Sequence, residues 1–258
     1  MTRLITAELR KLTTTRTSYG LIAAAAALVV LGTAAPLAFA DPAGPGFALS
    51  NEFTQRTLLA SSGTTAGTIA IVLGIIGMAG EYRHGTITPS LLATPHRPRF
   101  MIAKIISYAG VGLLLGLTMA ALSLAISLLG LRLRAVDLVL SAGNITAILG
   151  GGILYFTLAG VFGVGVGAAI RSQVAALATV LITFFVVENL LVGLVPDVAR
   201  WLPGQAASAL YFPGDTPTDA GLVGAEVIAQ PLGALALTTY TVAVAILGVA
   251  LASRRDVT

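Results

Sequence analysis

The sequence predicts an all-α, polytopic membrane protein with six transmembrane helices. Three observations carry that prediction. Of the 258 residues, 56% are hydrophobic and only 10% are charged, whereas a soluble domain carries roughly 25% charged residues. The apolar residues fall into six long runs. All the charges but one, Glu188, sit between those runs, with the basic ones gathered in alternate gaps. A chain this poor in charge cannot cover a water-facing surface, so lipid is its solvent over much of its area.

The runs cover residues 19–40, 62–80, 105–131, 145–170, 174–195 and 231–252, within a single transmembrane domain. Each can cross a ~30 Å hydrocarbon core as a helix, the longer ones with tilt. Strands of a barrel would be shorter and alternating. Pro36, near the end of the first run, is tolerable there and marks a possible kink. Ala38-Phe39-Ala40 before Asp41 has the look of a cleavage site, but the run exceeds the ~7–15 residues of a signal core. It is read as a retained span.

Orientation follows from the basic residues. With the N-terminus inside, Arg3, Arg10, Lys11, Arg16, Arg83, Arg97, Arg99, Lys104, Arg171, Arg254 and Arg255 are cytoplasmic, eleven in all. Only Arg56, Arg132, Arg134 and Arg200 fall outside. Both termini are therefore expected in the cytoplasm of a cell-membrane protein. The net charge of +4 would raise the question of nucleic acid in a soluble protein. Here the bases set topology and meet anionic headgroups, and no nucleic-acid partner is expected.

Residues 1–17 precede the first span. Leu4, Ile5, Leu9 and Leu12 share one helical face, with Arg3, Glu8, Arg10 and Lys11 around the rest. This reads as an amphipathic helix at the membrane surface; the alternative is a simple basic flank. The outer loops are uneven. Residues 41–61 begin rich in Pro and Gly, 132–144 are few, and 196–230 form the longest loop. Within the last, Trp201 to Phe212 is apolar but too short to span, which suits a re-entrant or interfacial helix. Trp201, Tyr211 and Phe212 suit the headgroup level.

The loop after the second span carries the most specific pattern. It reads Gly80-Glu81-Tyr82-Arg83-His84-Gly85-Thr86-Ile87 and runs on through Leu91-Leu92-Ala93-Thr94-Pro95 to His96, Arg97, Arg99 and Lys104. Residues 87–93 are apolar and helix-capable, bounded by Gly85 and Pro95 and flanked by charge. Two readings fit: a short helix docking in a partner's groove, or one resting on headgroups. Ile87, Leu91 and Leu92 would form its apolar contact, with Glu81 and Arg83 framing it by charged hydrogen bonds within the loop or to the partner.

The string EYRHGT, then LLATP, a basic cluster and Ala103-Lys104 at the next span, resembles the permease subunits of ATP-binding-cassette transporters of the type-2 membrane family. A looser match lies in Val187-Glu188-Asn189-Leu190-Leu191, Pro196 and Trp201-Leu202-Pro203; Asn189 stands where close relatives would carry proline. The resemblance covers nearly the whole chain. It implies a homo- or heterodimer of permease subunits coupled to separate cytoplasmic ATPase subunits. It makes the loop a coupling helix holding the ATPase contact between Glu81 and Thr94. It gives the N-terminal helix a share of that contact and makes Trp201, Pro203 and Tyr211 part of an outer re-entrant segment. A hydrophobic or amphipathic cargo such as a drug or lipid, exported, is the expectation from family.

The residues themselves bear on chemistry too. A P-loop needs Lys after Gly, but Lys11 follows Arg10 and Lys104 follows Ala103. No ATP site, and no cofactor, is expected in this chain. Glu188 is the one ionisable residue well inside a run. Such a group is a functional candidate by default, yet with Asn189 it stands near the span's outer end, and a hydrogen-bonded structural carboxyl is the preferred reading. His84 and His96 lack further ligands nearby, so no metal is expected. Gly63/Gly67, Gly112/Gly116 and Gly163/Gly167 have the spacing of close helix packing. Secondary transport is the alternative, but the chain lacks a repeat and a set of intramembrane charges. A non-catalytic assembly subunit is a further one. An enzyme is not expected: the spans hold no His, Asp or Cys.

Overall fold

A computed structural model of the chain describes residues 1–40, 48–63, 65–93, 97–212 and 227–254. Most of those residues are helical, with no strand among them, and six helices are long and apolar enough to cross a membrane. The first amphipathic segment is α1 (Thr2–Thr14). Thr15, in extended conformation, separates it from α2 (Arg16–Phe39), the first span. Pro36 does not end α2, because the helix closes within a turn of it: the Ala40 amide donates to the Pro36 carbonyl at 2.8 Å.

The 41–61 loop holds an unforeseen helix, α3 (Glu52–Ala60). Asn51 caps it, its side chain accepting from the Phe53 amide at 2.9 Å. The second span contains α4 (Thr65–Arg83). Then come the short α5 (Ile87–Ala93) and the long α6 (Arg97–Leu133). The helical pattern of α6 runs straight through the basic cluster, so the third span extends well beyond its apolar part. The fourth span is α7 (Ala142–Ile170), capped by Ser141. The fifth is α8 (Gln173–Ile182), a π-helical stretch at Thr183–Val187, and α9 (Glu188–Leu194). Two short helices follow, α10 (Pro196–Ala199) and α11 (Pro203–Tyr211), and the sixth span is α12 (Gln230–Arg254).

Helix α7 is the centre of the bundle, packing on α4, α6, α11 and α12. Glycine permits this. A Cβ on Gly163 would meet the Ile71 carbonyl, one on Gly74 the Gly160 carbonyl, and one on Gly112 the Phe156 carbonyl. Backbone thus lies on backbone between α7 and both α4 and α6, the arrangement small-residue spacing allows in a membrane. Of the three Gly pairs singled out in the sequence, Gly112/Gly116 and Gly163/Gly167 lie at such contacts, whereas Gly63 and Gly67 make room for the Tyr211 and Tyr155 rings. Where α2, α3 and α6 meet, Ser123 donates to the Leu58 and Leu59 carbonyls, both at 3.1 Å, and a Thr33–Ser61 hydrogen bond closes the cluster. Large apolar side chains such as Leu31, Leu114, Leu129, Leu190 and Ile246 remain on the outside. In water that would be a liability; against lipid it is what a span requires.

Candidate functional site

The loop after α4 opens with a helix stop. Gly85 has φ 65°, the Thr86 amide donates to the Glu81 carbonyl at 3.0 Å, and the Gly85 amide to the Tyr82 carbonyl at 3.3 Å. That is a Schellman closure with glycine in its left-handed position. It turns the chain sharply into α5. There Ile87 is buried in the main core while Leu92 is 78% exposed. Five residues along a helix correspond to a rotation of roughly 140° beyond one full turn, so the two side chains cannot share a contact surface. The expectation that they do is corrected: Ile87 anchors α5 to its own chain, and Leu92 is presented outward. The side chain of Leu91, and Thr94, Pro95 and His96, lie outside the described residues.

The charges at this end are arranged differently from the expected frame around α5. Glu81 is buried, and its Oε1 accepts from Lys11 Nζ at 2.8 Å and Lys104 Nζ at 2.9 Å. Lys104 is fully buried, also donates to Glu8 Oε2 and, at 2.9 Å, to the Gly77 carbonyl, and stacks over the Phe100 ring. Lys11 bonds Glu8 Oε1 at 2.9 Å. Two carboxylates and two ammonium groups thus form one net-neutral knot that ties α1 to α4 and α6. The physical reason is desolvation: a carboxylate drawn into this packed end must be paired with nearby cations or neutralised. Burial pushes the Glu8 carboxyl up, but Lys104, aided by Lys11, outweighs it and holds Glu8 below the usual carboxylate range. Burial likewise lowers Lys11, and its bonds to Glu81 and Glu8 outweigh that and raise it. Arg83 does stay at the loop, exposed, with a long 3.4 Å bond to Gln173 at the start of α8. Next to the knot is a cavity of about 730 Å³ lined by Lys11, Gly77, Glu81, Arg83, His84 and Tyr108, among others.

Sequence reasoning named Glu81 and missed its partners. Glu8 is the one acid in an otherwise basic segment, and Lys104 is a lysine at the edge of a span. Each is a group that burial forces to find a counter-charge, and that was the available signal.

At the other end of the bundle, Glu188 is 1% exposed. Its two carboxylate oxygens accept from the Gly204 amide at 3.1 and 2.9 Å. The Gly204 amide belongs to the first turn of α11, where Pro203 occupies the N-terminal position. The carboxylate therefore caps a helix N-terminus, satisfying otherwise orphan donors and facing the positive end of the helix dipole. The π-helical stretch just before Glu188 shifts the helical face. Asn189, exposed, donates its side-chain amide to the Phe185 carbonyl at 3.1 Å within that wide turn. Glu188, Thr68, Tyr155, Phe184, Gly204 and Tyr211 border a cavity of about 130 Å³.

Of the three aromatics expected at headgroup level, Trp201 is 42% exposed and Phe212 half-buried. Tyr211 is a correction. It is 5% exposed, packed edge-on against Tyr155 with ring centroids 5.7 Å apart, over Gly63, whose missing side chain makes the room. Among the described residues no group of three His, Asp or Glu side chains could hold a metal. The chain matches no protein-family model and no curated protein.

Proposed function

We propose that this chain is the permease subunit of an ATP-driven transporter of the ATP-binding-cassette type, type-2 membrane family. In this reading it works as a homo- or heterodimer, takes its energy from a separate cytoplasmic ATPase subunit, and exports a hydrophobic or amphipathic compound such as a drug or lipid. It lies in the cell membrane with both termini in the cytoplasm.

The observation that carries the reading is the loop after the second span. Its EYRHGT…LLATP sequence is joined to a stopped helix and a short α5 that turns Leu92 outward beside the end of the bundle. The ionic knot supports it, because α1, α4 and α6 then move as one body under a push on α5. In this reading α5 is the coupling helix, Leu92 and Leu91 its contact and Arg83 its flanking charge, while Glu81 holds the base of the loop. Helix α11 is the outer re-entrant helix, and Glu188 is its anchor rather than a cargo or ion site.

The test is co-purification of a cytoplasmic ATP-binding-cassette ATPase subunit with this chain from its native membrane. Leu92→Asp should release the partner or abolish cargo-stimulated turnover while the chain still inserts, since an exposed residue is changed. Normal association and turnover would sink the coupling role. Orientation is tested separately, in a chain with no native cysteine. Val139→Cys should react with an impermeant thiol reagent in intact cells, and Thr88→Cys should not.

A further inference from the structure

We propose that the groove between α2 and α6, at the end of the bundle away from α1, binds one phospholipid, with an acyl chain in the groove and the anionic phosphate on Arg134. The groove has a volume of about 360 Å³ and is lined by Ala34, Leu37, Ile126, Leu129, Gly130 and Leu133, with Arg134 at its mouth. It exists because the facing residues are small: a Cβ on Gly130 would strike the Leu37 side chain. It lies between two helices long enough to cross a membrane.

Charge selects the occupant. Arg134 folds back on the end of α2, its Nε and Nη2 donating to the Leu37 carbonyl at 3.0 and 2.8 Å and its Nη2 to the Ala38 carbonyl at 2.8 Å. Those carbonyls fix the guanidinium but do not cancel its charge. Among the described residues Arg134 has no ion pair. One fixed positive charge therefore stands at the mouth of an apolar slot. A molecule with a long apolar tail and an anion at one end satisfies both features. Phosphate oxygens form charge-assisted, often forked bonds to arginine. A free phosphate would use only Arg134, and an uncharged diacylglycerol only the slot.

The experiment is native mass spectrometry of the purified full chain in detergent, titrated with dioleoyl phosphatidylglycerol, dioleoylglycerol or inorganic phosphate. The expected result is one retained phosphatidylglycerol, retention of dioleoylglycerol about tenfold weaker, and no phosphate adduct; one lost charged hydrogen bond is of that size. Arg134→Gln and Ala34→Phe should each lower phosphatidylglycerol retention by about tenfold, the second by filling the slot. Should either variant fail to fold, Leu133→Asp at the exposed lip provides a carboxylate that competes for Arg134 and should do the same. Equal retention of dioleoylglycerol overturns the phosphate contact. A stable phosphate adduct, or variants that keep the lipid as wild type does, overturns the site.

Discussion

The two ends of the bundle bury carboxylates by opposite means. At the end bearing α1, Glu8 and Glu81 are neutralised by the side chains of Lys11 and Lys104. At the other end Glu188 has no cation beside it among the described residues and is held by the amide at the N-terminus of α11. The first arrangement joins three helices through charge and depends on every member. The second joins a span to a short helix through the backbone, whose partial positive charge no substitution of a side chain can remove. The difference predicts a brittle end and a tolerant one.

The largest effect is expected from Lys104→Met. It leaves two buried carboxylates with one half-exposed ammonium, and breaking a buried pair costs about 3–5 kcal/mol. Thermal unfolding in detergent should show it, and adding Glu8→Gln to Lys104→Met should recover part of the loss. Full stability of the single variant would break the comparison. At the tolerant end, Glu188→Ala strips the cap and leaves the Gly204 donor buried, for about 1–3 kcal/mol. Glu188→Gln keeps an acceptor carbonyl and should cost under about 1 kcal/mol, with folding and most transport preserved. A Gln variant that assembles yet loses cargo-dependent ATPase stimulation would instead give Glu188 a gating role.

Acid sharpens the contrast. The Glu8 carboxyl is held below its ordinary value of 4.5. Its contribution is complete above that value and disappears as pH falls through the lowered one. Lys11, raised above 10.5, contributes fully below that value and loses its contribution as pH rises through the raised one. A spin label at Thr6→Cys should report docked α1 between those limits and a mobile α1 in acid below them. An α1 that stays immobile through the acid range would mean packing, not charge, holds it. The smallest effect is Gly80→Ala, where a Cβ would meet nothing within 4 Å. Removing a helical glycine there should stabilise by about 0.5–1 kcal/mol, which would show that the brittleness beside Glu81 is electrostatic and not steric.

Much of this architecture was legible because a bilayer imposes length and apolarity on each span separately. The six runs, the separate α1 and the short helix within residues 87–93 are local properties, and each appears where its own residues specify it. So does Pro203 at the start of α11, since proline suits a first helical turn. Helix α3 was less legible, because Pro and Gly at the start of its loop hid the Asn51 cap and the Leu58-Leu59 face behind it.

What the tertiary structure alone decided is which groups meet. Glu8, Glu81 and Lys104 are separated by 73 and 23 residues, and no periodicity links them, yet lost hydration makes them one unit. Ile87 and Leu92 look equivalent as letters, and only the bundle beside α5 separates the anchor from the exposed residue. Tyr211 reads as an interfacial aromatic until Gly63 opens a place for it inside. The sequence by itself determined that the chain is six apolar helices with a basic bias to one side, because solvent acts on each segment independently. Pairing of charges and seating of side chains depend on distances between segments, and those exist only once the helices have packed.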